Sequence, residues 1–244
     1  MHRFFITQDQ MQDGRVTFGD DQARQMQKVL RLQPGEQVIV LDNSGWAYRV
    51  ELTLVSRRQT TGAVAERQPA GGEPAVALTL YQSVIKWDRF EWTLQKGTEV
   101  GVTRFVPVVS ERSLLKANDA INPNKVARWQ RIVVEAAEQS RRGRLPELAP
   151  AVKLPEAMAT HSAEAALIPW EEAEGGITIG TALASRRPQS VALFIGPEGG
   201  FTEEEVAEGR RHGIIPVSLG RRILRAETAA VVAAALVLHE VGEM

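Results

Sequence analysis

Two short segments near the C-terminus combine glycine with charge, Leu193-Phe-Ile-Gly196-Pro-Glu198-Gly199-Gly200-Phe-Thr202 and Leu219-Gly220-Arg-Arg-Ile223-Leu224-Arg225-Ala-Glu227-Thr228. Glycine lets backbone come close to a ligand, and a helix opening directly after such a loop offers free N–H groups. Two such loops close together therefore predict a small-molecule pocket. Glu198 argues against a phosphate ligand, because its carboxylate would repel one. No Lys-Ser or Lys-Thr follows the glycines, so this is not a Walker-type loop. A ligand with positive charge and an adenine-like ring fits better. Arg225 and Glu227 sit at the start of the last helical stretch, where two readings are evenly balanced. Either Glu227 favours the positive helix end and Arg225 is a surface group, or both face the ligand.

A second cluster could contact phosphates. Arg128, Arg131, Arg141, Arg142 and Arg144 follow Lys125, with only Glu135 and Glu138 as acids between them. The clustered, glycine-containing end, Gln139-Ser-Arg-Arg142-Gly-Arg144, reads as a nucleic-acid contact as readily as a solvated helix face. Arg112 and Lys116 could extend it. His2, His161, His212 and His239 are scattered, and no Gly-x-Ser-x-Gly, His-Glu-x-x-His or acidic metal cluster is present. Hydrolase and metalloenzyme chemistry therefore have little support. The absence of cysteine excludes disulfides and thiolate nucleophiles.

These groups must be positioned by a framework, and the 244 residues suffice for one large domain or two small ones. From Arg15 to about Arg67 the chain reads mainly as short strands. Gln37–Leu41 and Ala47–Val55 are joined by an Asp-Asn-Ser-Gly turn, Thr61–Glu66 is a weaker strand, and a helix over Asp21–Leu32 interrupts them. This pattern suggests a small barrel. Arg67-Gln-Pro69-Ala-Gly71-Gly72-Glu-Pro74 reads as a linker. Beyond it, strands at 76–81, 104–109, 164–168, 191–195 and 216–219 alternate with helices at 87–100, 124–142, 202–212 and 226–241, the mark of a parallel α/β sheet. The small residues Ala229, Ala230, Ala233, Ala234 and Ala235 suit packing of the last helix on its own sheet or on a second copy. The tryptophans read as core or interface residues.

Formal net charge is −1, so overall charge names no partner. The start lacks the apolar run of a signal peptide, and Ala229–Leu238 is too short to span a bilayer, which needs roughly 20 apolar residues. A cytoplasmic protein is the expectation, with no membrane partner and no metal.

Taken together, the chain resembles the ribosomal RNA small subunit methyltransferase E family, of the SPOUT class. The resemblance runs through His2-Arg3-Phe-Phe5, Lys28-Val-Leu-Arg31-Leu with Gly35, Gln95-Lys96-Gly-Thr-Glu99-Val-Gly101, Pro107 and Ser110-Glu-Arg112-Ser. It continues through Glu135-Ala-Ala-Glu138-Gln139-Ser with Arg142 and Pro146, and closes with the two glycine segments. Two positions depart from the family pattern, Gln25 where histidine is usual and Ala226 where threonine is usual. The resemblance implies a PUA-like RNA-binding β-barrel over residues 1–72. It also implies a SPOUT α/β domain over 73–244, with a parallel sheet and a C-terminal trefoil knot. It further implies S-adenosylmethionine as cofactor, a homodimer, and methylation at N3 of a uridine in 16S rRNA, in the small subunit.

Within that frame, Phe194, Ile195, Gly196, Glu198, Gly199 and Gly200 from the first loop would grip the cofactor. So would Leu219, Gly220, Ile223, Leu224, Arg225 and Thr228 from the second, with Ile168 and Pro169 as a third-loop contact. Arg225 would stabilise charge on the uracil oxygens. Glu227 would accept the N3 proton, ahead of Glu198. Arg3, Lys28, Arg31, Glu138, Gln139 and Arg142 would meet RNA. A knotted methyltransferase acting on a different RNA, or a non-catalytic RNA-binding protein, are the rival readings.

Overall fold

The run Trp46–Val55 alternates in burial over Arg49–Thr53, because successive strand side chains point to opposite faces, and register shifts at Arg49/Val50 and Leu52/Leu54 interrupt its pairing. In the computed structural model, which describes residues 1–113, 122–171, 177–184 and 187–244, this strand is β5 of a first unit. That unit comprises Met1–Glu73 and Ala137–Leu145. Its six-stranded sheet runs β1-β4-β5-β6-β3-β2, where β1 is Arg3–Phe5, β2 Met11–Gln12, β3 Arg15–Phe18, β4 Gln37–Leu41 and β6 Thr60–Pro69. The β4–β5 hairpin forms as its turn residues imply, in antiparallel register from Gln37↔Glu51 to Leu41↔Ala47. Phe4, Val16, Phe18, Met26, Val38, Val40, Val50 and Leu52 make its core.

Two expectations in this unit change. The strand read as ending at Glu66 extends to Pro69, so the linker begins later. The helix expected over Asp21–Leu32 is one short α-helix, α1 (Asp20–Arg24), followed by a wider turn over Gln25–Val29. Arg31, at φ +55, stops any continuation. A side chain other than glycine in the left-handed region breaks helical propagation.

The second unit comprises Pro74–Ala136 and Pro146–Met244. Its strands are β7 (Ala77–Ser83), β8 (Arg104–Val109), β9 (Glu147–Leu148), β10 (Val152–Lys153), β11 (Ala165–Pro169), β12 (Ser190–Ile195) and β13 (Ile215–Val217). They lie in the order β10-β8-β7-β12-β11-β13, with β9 on β8, and all their pairings are parallel. The helices are α2 (Trp87–Val100), α3 (Pro123–Gln139), α4 (Leu154–Thr160), α5 (Ile179–Leu183), α6 (Glu203–Arg211) and α7 (Ala226–Glu240). Parallel strands are covered on both faces, which explains the near-continuous apolar runs of β7, β8 and β12. One face buries Leu78, Leu80, Leu193 and Ile195 against Phe90 and Leu94 of α2 and Ala230, Ala233 and Val237 of α7. The other buries Tyr81, Val106 and Phe194 against Leu154, Met158, Phe201 and Val206.

β1, β2, β9, β10, α4 and α5 were not anticipated, since each is too short to show a period. No helix among the described residues is long and apolar enough to cross a membrane.

Candidate active site

β11, β12 and β13 run parallel, with Leu167 paired to both Leu193 and Ile215, so their carboxyl ends emerge side by side. Ligands in open α/β sheets bind at that edge. The loops that follow the three strands enclose a cavity of about 560 Å³. Pro169, Trp170 and Glu171 line it from the first loop, Ile195 to Glu198 with Gly200 and Phe201 from the second, and Ser218 to Ala226 from the third. Arg89 and Ala229 complete the wall from α2 and α7.

Local hydrogen bonds fix the loops. Trp170 N–H donates to the Val217 carbonyl at 3.0 Å, locking the first loop to the third. In the second, Gly200 N–H donates to the Pro197 carbonyl at 3.0 Å, closing a tight turn with Gly200 at φ +67. Thr202 then opens α6 by a capping box. Its hydroxyl accepts from Glu205 N–H at 3.1 Å while Glu205 Oε2 accepts from Thr202 N–H at 3.0 Å. The other Glu205 oxygen accepts from Glu111 N–H at 2.7 Å, and Arg112 Nη1 donates to the Gly199 carbonyl at 2.9 Å. The segment after β8 thus braces the glycine turn from outside.

Of the residues singled out in the sequence for the cofactor, Pro169, Ile195, Gly196, Glu198, Gly200, Leu219, Gly220, Ile223, Leu224 and Arg225 line this cavity together. Ile168 and Phe194 lie outside the lining, buried in the core, with the Phe194 ring stacked on Tyr81 at 4.4 Å. Gly199 faces Arg112, and Glu227 and Thr228 are half-buried on the first turn of α7.

The charges are arranged around one group that the sequence did not reveal, Arg89. Glu198 Oε1 accepts from Lys86 N–H at 3.2 Å and lies 3.7 Å from Arg89 Nη1. Arg89 Nε lies 3.7 Å from Glu227 Oε1. The second Glu227 oxygen, Oε2, is buried with no hydrogen-bond partner among the described residues. Trp170, Glu171 and Arg112 were also missed in any site role involving the cofactor. Only the position of Trp170 and Glu171, just past the β11 strand, could have pointed to them.

The residues singled out for RNA fall in the first unit. Lys28 and Arg31 are exposed, and Arg3 is half-buried with Nη2 donating to the Arg142 carbonyl at 3.4 Å. Burial first, and the charge of Arg141 second, lower the Arg3 guanidinium below its ordinary pKa. Gln139 is exposed, whereas Glu138 accepts from Phe5 N–H at 2.9 Å. Arg142 is buried and bridged to Glu73.

The basic stretch is therefore less free than its composition suggested. Arg128 forks onto Glu91 at 2.8 and 2.7 Å, and Lys125 lies 3.8 Å from the same carboxylate. The acids that balance these cations are distant in sequence, so the local count missed them. Arg131, Arg141 and Arg144 remain exposed. Lys116 lies outside the described residues.

Comparison with known proteins agrees with this architecture. Residues 72–238 match the RNA methyltransferase domain family, and residues 18–62 match the RNA methyltransferase PUA domain family. The ribosomal RNA small subunit methyltransferase E of Synechocystis sp. is 36% identical over 96% of this chain and 76% of its own length. That of Bacillus subtilis is 30% identical over 98% of this chain and 97% of its own. The crystal structure of the Neisseria gonorrhoeae enzyme bound to S-adenosyl methionine superposes with a TM-score of 0.87 at 33% identity, covering 98% of this chain and 97% of that one. The glycine loops, the PUA-type first unit and the parallel sheet thus converge with these relatives, and the chain belongs to the ribosomal RNA small subunit methyltransferase E family.

Proposed function

We propose that this chain transfers a methyl group from S-adenosylmethionine to N3 of a uridine in 16S rRNA of the small ribosomal subunit. The observation that carries the reading is the cavity walled by three loops at the carboxyl edge of the parallel sheet. Its volume of about 560 Å³ lies within the roughly 300–1,000 Å³ of small-molecule sites. Its wall combines loop backbone with carboxylates (Glu171, Glu198) and guanidiniums (Arg89, Arg221, Arg222, Arg225), which suits an adenosine-bearing ligand that carries both signs of charge. When bound, the cofactor supplies an electrophilic methyl and a neutral sulfur leaving group.

The chain must hold the base, exclude water and make N3 available. Backbone from Ile195 to Gly200 and from Leu219 to Leu224 would hold the cofactor against Pro169. Arg225 reaches the same cavity and would stabilise negative charge spreading onto the uracil oxygens. Glu227 would take the N3 proton; its carboxylate lies 3.7 Å from the cavity-lining Arg89, and its buried Oε2 has no hydrogen-bond partner among the described residues. Thr228 would steady the first turn of α7, and Ile168 and Phe194 would support the loops from the core.

We assign RNA binding to residues 1–72 and methyl transfer to 73–244. The segment 137–145, which clusters with the first unit, adds Gln139 and Arg141 to the RNA face. Lys28 and Arg31 would contact phosphates, and Arg3, Glu138 and Arg142 would shape that face. The same reading carries a C-terminal trefoil knot, action in the cytoplasm and a homodimer. Supporting the dimer, α7 leaves Ala229, Val232 and Leu236 partly uncovered, so even its outer face is apolar.

The test is to incubate the protein with labelled S-adenosylmethionine and small subunits from a strain lacking the modification, then analyse the nucleosides. N3-methyluridine is the expected product. A different methylated nucleoside would overturn the base assignment, and no incorporation would overturn the reaction.

A further inference from the structure

We infer that Arg89 is a positioning residue that ties the cofactor loop to the start of the last helix by holding Glu198 and Glu227 on opposite edges of one guanidinium. This rests on the reading of the cavity as a methyl-transfer site. Three elements remote in sequence meet here: the first turn of α2, the turn after β12 and the first turn of α7. Glu198 is approached twice from the α2 N-terminus, by Lys86 N–H at 3.2 Å and by Arg89 Nη1 at 3.7 Å. A helix N-terminus favours a carboxylate there. The Nε edge of the same guanidinium faces Glu227 Oε1 at 3.7 Å.

Glu198 at the cavity wall and Glu227 on the first turn of α7, outside the lining, repel each other, and a shared cation offsets that repulsion. Arginine suits this task because its planar fork presents separate edges, whereas a lysine ammonium is one point charge. The side chains of Arg89, Glu198 and Glu227 are 28%, 21% and 13% exposed. The charges are thus screened less than surface pairs, which contribute little.

Both contacts are longer than a hydrogen bond, so Arg89 orients the carboxylates by charge. With Glu227 Oε1 turned to Arg89, Oε2 is the oxygen left without a partner among the described residues. Arg89 therefore sets the orientation of the Glu227 carboxylate, with Oε1 toward the guanidinium and Oε2 buried. Through Glu198 it also sets the cofactor turn. Binding and chemistry would share this one residue, and its loss would be felt in both.

The experiment compares the full-length protein with Arg89→Gln, Arg89→Lys, Glu198→Gln and Glu227→Gln, and with the doubles R89Q/E198Q and R89Q/E227Q. S-adenosylmethionine affinity is read by calorimetry, kcat on small subunits at saturating cofactor, and thermal unfolding of the ligand-free protein. Arg89→Gln is expected to weaken cofactor binding and to lower kcat, each about tenfold. Glu198→Gln should act mainly on affinity and Glu227→Gln mainly on kcat. In each double, the second substitution should add less than about threefold, because the partners act as a unit. Arg89→Lys should recover part of one effect and not both. Fully multiplicative effects, or an Arg89→Gln loss confined to the unfolding temperature, would overturn the inference. Wild-type protein that binds the cofactor but does not methylate small subunits would instead sink the reaction. The affinity cycle between Arg89 and Glu198 would still decide the role of Arg89.

Discussion

Arg142 forks onto Glu73, with Nε donating to Oε1 at 3.0 Å and Nη2 to Oε2 at 2.5 Å, while Oε1 also accepts from the N–H groups of Gly143 and Arg144 at 2.9 and 3.0 Å. The Arg142 side chain is 3% exposed, so this is a desolvated pair that pins the chain after α3 onto the first unit. Removing one partner of a buried pair strands the other charge and costs about 3–5 kcal/mol. Arg142→Ala and Glu73→Ala are both expected to lower the urea midpoint, the second somewhat less because Glu73 is partly exposed. Arg142→Ala that lost RNA affinity with an unchanged midpoint would instead make Arg142 a direct phosphate contact.

The proposed RNA face has a sharper candidate nearby. Arg3 Nε is buried without a hydrogen-bond partner among the described residues, and the charge of Arg141 adds to the burial that lowers the Arg3 pKa. Arg141 itself is exposed and held at φ +62. A second positive charge that disfavours the first favours an anion, and an RNA phosphate would relieve both. Each of Arg3→Ala and Arg141→Ala should reduce the slope of log K against log salt for small-subunit RNA by about 0.7–1. The second substitution made on top of the first should change it little. Unchanged slopes would remove both residues from the phosphate contacts.

How much of this was readable without coordinates follows a physical divide. Local patterns were legible. Phe90, Leu94 and Thr98 recur at helical spacing within the stretch 87–100, and all three are buried on one face of α2. Thr202 and Glu205 carry the spacing of the capping box that opens α6, and the apolar run before Gly196 forms β12. Most lining residues of the second and third loops were legible for the same reason, since each loop is continuous in sequence, whereas Trp170 and Glu171 of the first loop were not. What depends on partners far along the chain was not. Arg89 gives no local hint that Glu198 and Glu227 flank it, and Arg128 gives none that its counter-ion is Glu91. The three-residue strand β1 pairs parallel with β4, a contact no periodicity encodes.

The glycine turn should tolerate little. A Cβ on Gly196 would sit 3.2 Å from Phe201 Cδ2 and 3.3 Å from Phe201 N, and Phe201 is itself core. The turn must therefore open by a few tenths of an ångström to admit alanine. Gly196→Ala is expected to weaken S-adenosylmethionine binding about tenfold, roughly 1.4 kcal/mol, with overpacking costing fold stability a similar amount. Calorimetry that found wild-type affinity would show that the turn backbone does not touch the cofactor.

Trp170 offers a direct optical readout. It lines the cavity, with the Arg210 guanidinium 6.0 Å from its ring, while Trp129 is buried in the core. Titrating the cofactor should change tryptophan emission, and Trp170→Phe should remove that change. Saturating cofactor, about 100 times its Kd, should also stabilise the protein by about 2.7 kcal/mol. An emission change that persists in Trp170→Phe would move the binding site away from this cavity.

Arg225 gives the most specific expectation for chemistry. It is the N-cap residue of α7, but the helix depends on its backbone, whose carbonyl accepts from Ala229 N–H at 2.8 Å. Its side chain makes no capping hydrogen bond and is exposed at the cavity wall. Truncation should therefore leave α7 folded, with an unfolding temperature close to wild type. A charge-stabilising donor for a developing anion contributes about 10²–10³ in kcat. Arg225→Ala is expected to lose about that factor at saturating cofactor, with cofactor affinity changed far less. Arg225→Lys should recover only part of it, because a point charge cannot reproduce a planar fork. Near-normal turnover of Arg225→Ala would show that the uracil oxygens are stabilised elsewhere and return Arg225 to the surface role that its helix-end position alone would suggest.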